Sequence, residues 1–499
     1  MAFKWLSRLF VLFFITFLGI IAFPWAGKSY FLGDQLDQIL HVPHLLKGSL
    51  HLLYGPVFSD TSPPVYALGF IINLLYGLPF MLGANPDHIH LIQMGLVILG
   101  LVPLFFRLRA LNEDWGYLFC TLIAFTGIFH WTLTIFWLNA FQLPLACCFF
   151  ASYLAFLRSP SLNLLILVIG FFLLPLHIHS TPSVAWPFVA QTIALSWSRR
   201  HQSAFRLHTI RPASIVLIIA GTAPYIIAEA IHNLKNFRAF LAYFSRGSAS
   251  SDSLQAGLTG SIQAAQRLFD VSPISLQPPW ITTLSLQGFL GWSFALWFLG
   301  YFMRSLRHLR EGTLTHSDYI FLATFFSIAY QCSFFYFTHR DLRGPHYTLF
   351  MLPVYLFPWI ILLSQIMQIL RIPKFAIPVL ASAALLLTRN FPEKYHETTQ
   401  WTFQNTKKAL ESICLHNPHF QVFAEPAFRG YQEEFEDSLN FVSTHFLKTC
   451  HKQDNGAKAL LRVDRHGEFP DNFEYKGVRY SKKLVESPGI ALYQRSDTL

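Results

Sequence analysis

The chain has 499 residues, is 53% hydrophobic and 16% aromatic, and only 13% of it is charged. A soluble chain would carry about a quarter charged residues, so an ordinary cytoplasmic globule is excluded. The formal charge of +10 comes mostly from Lys and Arg in short loops between apolar runs. That is the pattern that orients membrane spans, and no nucleic-acid-binding motif accompanies it.

The charges leave long gaps. None of Asp, Glu, Lys or Arg occurs from Trp115 to Leu157, from Ser159 to Ser198 or from Val271 to Met303. A bilayer core takes about 20 apolar residues per helix, so the first two gaps each hold two spans. In chain order the expected spans cover 9–26, 88–106, 116–136, 140–157, 161–177, 182–198, 212–230, 285–303, 319–337, 347–368 and 375–389. The first follows Lys4 and Arg8. It is longer than a signal-peptide core and reads as a retained span.

Residues 61–86 are also uncharged up to Pro86, but Pro63, Pro64, Gly69, Gly77, Pro79 and Gly83 interrupt them. If this segment does not cross, Arg107, Arg109, Arg158, Arg199, Arg200, Arg206, Arg211, Arg304, Arg307, Arg310, Arg371 and Lys374 all fall on the side of Lys4 and Arg8. If it does cross, every later loop changes side and the bias is lost. The positive-inside rule favours the first arrangement, so 61–86 is expected to be a broken helix at the outer interface.

The expectation is therefore an all-α polytopic membrane protein with about eleven spans. Its N-terminus is cytoplasmic and its C-terminus lies outside a bacterial inner (plasma) membrane. A transmembrane domain over 1–390 carries outer loops 27–87 and 231–284, and residues 391–499 form a small extracytoplasmic α/β domain. In that last region, helix-like stretches at 399–413 and 431–447 alternate with strand-like ones at Phe420–Phe423, Ala459–Val463 and Ile490–Tyr493.

Of the six cysteines, Cys120, Cys147, Cys148 and Cys332 lie in or at apolar spans and read as packing residues. Cys414 and Cys450 lie in the region expected outside, where thiols tend to pair, and are a disulfide candidate. No CxxC pair and no Cys/His zinc spacing occurs.

Polar residues gather at outer ends of spans. The first outer loop opens on Gly33-Asp34-Gln35-Leu36-Asp37, and Asp34 and Asp37 would share one helical face. A carboxylate held at the membrane surface can act as a general base; the plainer reading is that Asp34 caps the following helix. Lys47, Tyr54 and Pro63-Pro64-Val65-Tyr66 follow. The turn after the third span is Trp137-Leu138-Asn139-Ala140-Phe141-Gln142-Leu143-Pro144. The fifth span ends in His177-Ile178-His179-Ser180-Thr181-Pro182. A late cluster reads Thr338-His339-Arg340-Asp341-Leu342-Arg343-Gly344-Pro345-His346-Tyr347, with Leu352-Pro353 beyond.

This order of elements resembles the GT-C superfamily of membrane glycosyltransferases, which use polyprenyl-phosphate sugars. Within it the chain is most similar to glycosyltransferase family 39, with its protein mannosyltransferases and lipid A aminoarabinose transferases. The resemblance rests on an Asp just past the first span, the Pro-Pro-x-Tyr stretch, Arg107-Leu-Arg109 after the second span, the turn ending in Pro144 and the late Arg cluster with Leu352-Pro353. It runs in order over roughly 5–200 and more loosely over 335–365. It departs from the family pattern where Gln35 stands for the acidic neighbour of Asp34, Ser62 for a Lys, and Asn139 for a carboxylate.

The resemblance implies inverting transfer, with Asp34 or its neighbour Asp37 as the catalytic carboxylate. Arg340, Arg343, His346 and Lys47 would meet the donor phosphate, since Arg stays charged and presents fixed donors. Tyr54, Tyr66 and Asn139 would line the substrate pocket together with His177 and His179, whose i, i+2 spacing could bind a donor phosphate, an acceptor or a metal or could simply end a span. The partners implied are a polyprenyl-phosphate sugar donor, a lipid, glycan or protein acceptor, and the membrane lipids. No cofactor is required if side chains neutralise the phosphate; a divalent cation could share that task, but Asn139 ligates cations without supplying charge. A transporter or flippase is the alternative. It would place ionisable groups at mid-membrane and repeat one half in the other, and neither pattern is present in the sequence.

Overall fold

The computed structural model describes residues 2–28, 57–59, 65–66, 75, 79, 82–135, 137–178, 181–206, 209–231, 233–235, 237–238, 255, 257–263, 265, 286–338, 346–391, 403–416, 419–424, 451–452, 459–463, 472–475, 478–487 and 490–495. The helices are α1 (Ala2–Ala22), α2 (Pro86–Leu111), α3 (Trp115–Ala124), α4 (Gly127–Thr134), α5 (Gln142–Arg158), α6 (Leu162–Leu176) and α7 (Trp186–Ser198). They continue as α8 (Pro212–Ile231), α9 (Leu286–Glu311), α10 (His316–Thr338), α11 (His346–Leu349), α12 (Leu352–Ile369), α13 (Ala376–Leu387) and α14 (Phe403–His416). The end of the bundle where α1 finishes and α2 begins is called the upper end below.

Most expected spans are helices within a few residues of their expected bounds. Among the described residues five are long and apolar enough to cross a bilayer alone, and a bent pair, α3 with α4, makes a sixth. The apolar α6 and α13 are shorter. Three details differ from the sequence expectation. The third span is broken by 68° between α3 and α4. The sixth starts as a 3-10 helix at Thr181–Ala185. The eighth runs on to Glu311, two turns past its apolar stretch, because Arg304, Arg307 and Arg310 are good helix formers.

The break is satisfied from within. Thr126 Oγ1 donates to the Ile123 carbonyl at 2.8 Å, and His130 Nε2 lies 2.6 Å from the Ala124 carbonyl. Unpaired backbone groups in hydrocarbon cost several kcal/mol, so a bend there needs such partners.

Packing follows membrane rules. Lipid is as apolar as Leu, so helices associate by close fit rather than by hydrophobic exclusion. α1 turns Phe10, Phe14, Phe17 and Leu18 inward and leaves Trp5, Leu9, Leu12 and Ile20 exposed. Phe10 meets Tyr117 edge-on at 4.9 Å, and Ser7 Oγ bonds Tyr117 Oη at 2.9 Å. α2 packs on α5, α3 and α1; α3 packs on α12 and α13; α6 lies between α5 and α8. Glycines set the closest crossings. A Cβ on Gly100 of α2 would stand 2.6 Å from Pro144 Cβ of α5, and one on Gly170 of α6 would stand 2.7 Å from Leu217 of α8.

At the lower end, Asp318 Oδ2 accepts from Thr315 N (2.9 Å), Thr315 Oγ1 (2.6 Å) and His308 Nδ1 (2.9 Å), while Oδ1 accepts from Ser305 Oγ (2.9 Å). Asp318 also donates its own N–H to Thr315 Oγ1 at 3.3 Å, which makes a capping box at the start of α10. Lys374 Nζ meets Glu113 at 2.7 Å on the same end.

Among the described residues, strands occur in two parts. β1 (Val57–Ser59) pairs antiparallel with β2 (Val65–Tyr66). The segment expected to be a broken helix over 61–86 therefore contains a strand at Val65–Tyr66, where β-branched and aromatic neighbours favour extended backbone. The C-terminal region holds one six-stranded sheet in the order β4-β3-β5-β8-β7-β6. Its strands are β3 (His419–Ala424), β4 (His451–Lys452), β5 (Ala459–Val463), β6 (Asn472–Tyr475), β7 (Val478–Ser487) and β8 (Ile490–Arg495). β3 runs parallel to β4 and β5, and the remaining pairs are antiparallel. α14 packs on β7 and β8, with Phe403, Leu410, Tyr480 and Tyr493 buried. The expected strands at 420–423, 459–463 and 490–493 are present, and so is the helix expected at 399–413, displaced to 403–416. The hairpin β6–β7 was not expected, and residues 431–447 lie outside the described residues.

Candidate active site

The polar groups at the upper end are tied together by side chains that reach across helices. Gln93, fully buried on α2, donates from Nε2 to the Ile135 carbonyl at 2.8 Å and accepts from Trp137 N at 3.1 Å. One side chain thus pairs both backbone groups of the turn that leaves α4. Trp137 then stacks edge-on against Trp131 at 5.2 Å.

The turn continues as a 3-10 helix, Leu138–Phe141, that leads into α5. Asn139, 8% exposed, accepts from Gln142 Nε2 at 3.0 Å, and Gln142 Oε1 accepts from Thr181 Oγ1 at 3.3 Å. Asn139 is therefore joined through Gln142 to Thr181, just beyond the end of α6. α11, which starts at His346, packs on the same 3-10 helix. Three of the stretches singled out in the sequence meet here: the Asn139 turn, the end of α6 and the segment that begins at His346.

One lone pair of Asn139 Oδ1 takes the Gln142 amide proton. A carboxylate at this position would accept the same bond, so Asn139 keeps the geometry of the turn while removing the charge. Among the described residues no group of three His, Cys, Asp or Glu is placed to hold a metal ion.

His177 is fully buried, with Nε2 2.7 Å from the Gly221 carbonyl of α8. It ties α6 to α8 inside the bundle rather than opening onto the upper surface. Tyr66 lies in β2, His346 opens α11 and Cys414 lies in α14. Asp34, Asp37, Lys47, Tyr54, His179, Arg340, Arg343 and Cys450 fall outside the described residues.

Two acidic residues at this end were not singled out in the sequence. Asp87, in the first turn of α2, accepts from Gln404 Nε2 of α14, a contact between the bundle and the C-terminal region. It lies against Gly27, whose φ of 77° suits a residue without Cβ; a Cβ there would stand 3.3 Å from Asp87 Oδ1. Asn-Pro-Asp at a helix start was the signal, since Asn85 caps α2 and Pro86 follows it. Glu229, near the end of α8 and 4% exposed, accepts from Phe237 N at 3.3 Å.

No protein-family model matches the chain, and no curated protein matches it in sequence. Solved structures do match. The crystal structure of ArnT from Cupriavidus metallidurans bound to undecaprenyl phosphate superposes with a TM-score of 0.54 at 10% identity, over 99% of this chain and 98% of ArnT. The apo crystal structure of the same protein gives a TM-score of 0.54 at 10% identity, over 98% of each chain. The chain has the GT-C fold of ArnT. Because the match is nearly end to end, it takes in the C-terminal sheet as well as the bundle. Within this fold, the Gln93, Gln142 and Thr181 bonds organise the upper end.

Proposed function

We propose that this protein is a membrane glycosyltransferase that takes a sugar from a polyprenyl-phosphate donor and passes it to an acceptor on the extracytoplasmic face of a bacterial inner membrane. The observation that carries this reading is the end-to-end likeness to ArnT, one structure of which holds undecaprenyl phosphate. The polar side chains collected at the upper end support it. So does the loop charge, which puts that end outside, with the N-terminus in the cytoplasm and the C-terminus external.

In this reading Asp34 takes the proton from the acceptor hydroxyl, whose oxygen attacks the anomeric carbon. The bond from that carbon to the phosphate oxygen breaks, and polyprenyl phosphate departs. Arg340, Arg343, His346 and Lys47 stabilise the charge that develops on the leaving phosphate. Asp37 orients the acceptor. Tyr54, Tyr66, Asn139, His177 and His179 shape the pocket; Asn139 and His177 do so through the turns they hold.

The test compares Asp34→Asn and Asp37→Asn with wild type at matched membrane levels, reading the glycosylated product by mass spectrometry. Removing a general base costs about 10²–10⁴ in rate, so Asp34→Asn should insert normally and lose transfer by that factor. If Asp34 were only a helix cap, Asn would serve nearly as well, and wild-type transfer by Asp34→Asn would sink the assignment. A selective loss in Asp37→Asn would move the base to that residue.

A further inference from the structure

α8 turns Gly221, Pro224, Ala228 and Glu229 inward and leaves Ile226, Ile227 and Ile231 exposed. Its neighbour α6 ends at Leu176, and His177 beyond it bonds the Gly221 carbonyl. From Gly221 to Glu229 is about 12 Å of helix at 1.5 Å per residue. The last two turns of α8 therefore rise above the end of α6. They carry Glu229, on the inward face, to the upper end of the bundle.

The Glu229 carboxylate is enclosed and only partly paired. Oε2 accepts from Phe237 N at 3.3 Å, whereas Oε1 is buried with no hydrogen-bond partner among the described residues. A carboxylate offers about four lone-pair sites, and a buried charge short of donors is costly for a fold to keep. Cations stand close in sequence but are not turned toward it: Lys235 and Arg238 follow on the returning chain and are exposed. The return itself is strained. Asn233 and Leu234 have φ of 52° and 57°, a left-handed region that a Leu rarely enters. Leu234 N donates to the Glu229 carbonyl at 2.8 Å, which folds the chain back over the carboxylate. Strain of this kind collects at ligand sites.

The oxygen left over calls for an O–H or N–H from a ligand, and its charge repels phosphate. In a polyprenyl-phosphate sugar, the groups that meet both conditions are the hydroxyls of the sugar, or an amine on it. We propose that Glu229 binds the sugar of the lipid-linked substrate, Oε1 accepting from a sugar hydroxyl or amino group. The inference rests on the transferase reading above and extends it to a binding residue on α8.

Glu229→Gln separates this role from a structural one. The amide carbonyl still accepts from Phe237 N, so the turn is kept while the charge is removed. Membranes with matched levels of wild type and variant are titrated with a polyprenyl-phosphate-sugar extract of the cells that make the protein, and glycosylated product is read by mass spectrometry. The purified full chain is unfolded thermally in detergent in parallel. Glu229→Gln should unfold no earlier than wild type, because an unmatched buried charge has gone. It should need about tenfold more extract for half-maximal transfer, the loss of one charge-assisted hydrogen bond. The saturated rate should stay within about twofold of wild type, as it does when binding alone is weakened. An unchanged half-maximal dose overturns the role. Earlier unfolding of the variant overturns it too and makes Glu229 an anchor of the turn. A wild type that forms no product removes the transferase reading and this role with it, whereas product from wild type with an unchanged dose in the variant removes this role alone.

Discussion

Gln142 is the residue on which the upper end turns, because its one carboxamide serves two loops: Nε2 donates to Asn139 and Oε1 accepts from Thr181. Replacing it with Leu keeps the bulk but removes the hydrogen bonds to Asn139 and Thr181. A lost hydrogen bond of this kind costs about 0.5–1.5 kcal/mol. Gln142→Leu should lower the unfolding temperature in detergent and reduce transfer, whereas Gln142→Glu, which still accepts from Thr181, should keep more of both. Asp318 offers a test of the lower end. Burial would raise its pKa, but hydrogen bonds from His308, Thr315 and Ser305 outweigh that and hold it below the ordinary carboxylate value of 3.8. A folded-state pKa below the unfolded one stabilises the protein above the unfolded value and stops doing so as pH falls through the folded value. The contribution is therefore intact at neutral pH and fades below about pH 4. Asp318→Asn should lower the melting temperature at neutral pH and flatten its acid dependence; a mutant profile parallel to wild type would refute this. The partnerships between distant helices were not legible in the sequence. Gln93 finds its acceptor 42 residues away and Thr181 its acceptor 39 residues away, and only the fold makes such pairs neighbours.

At the scale of the element, α2 provides its own control. Gly95 and Gly100 sit on one helix, yet a Cβ on the first meets nothing while a Cβ on the second would overlap Pro144 of α5. Gly95→Ala should be neutral or slightly stabilising, since Ala favours helix. Gly100→Ala should destabilise by about 1–3 kcal/mol, the usual range for an overpacked contact. Thermal unfolding of the two variants beside wild type decides it, and equal midpoints would show that the α2–α5 crossing is looser than described. Helix positions were the most legible elements, because long charge-free runs bounded by Arg leave few other solutions. The bend between α3 and α4 was not, because Phe125-Thr126-Gly127 lacks a proline and continues the apolar pattern. β7 was missed for the opposite reason: Arg479, Lys482 and Lys483 disguise a strand that is held by pairing on both sides.

For the whole molecule, the orientation is open to direct measurement. Reporters fused after Arg206 should read cytoplasmic, and those fused after residue 255 or 430 external. An external signal at Arg206 would mean that 61–86 crosses, and the proposed site would move to the wrong side. Thiol labelling of denatured, unreduced protein should find Cys414 and Cys450 unreactive if they pair in the external region; two reactive thiols there would exclude the bond.

The broken third span also constrains biosynthesis. α3 has 10 residues and α4 has 8, and neither alone approaches the roughly 20 that the insertion machinery accepts as a membrane segment. Only the two together reach that length, so the stretch is expected to insert as one segment. The bonds that satisfy its bend, from Thr126 to the Ile123 carbonyl and from His130 to the Ala124 carbonyl, lie within the segment, whereas α12 and α13, which pack on α3, emerge from the ribosome more than 200 residues later. The bend can therefore be satisfied from within before the helices that finally hold it have been made.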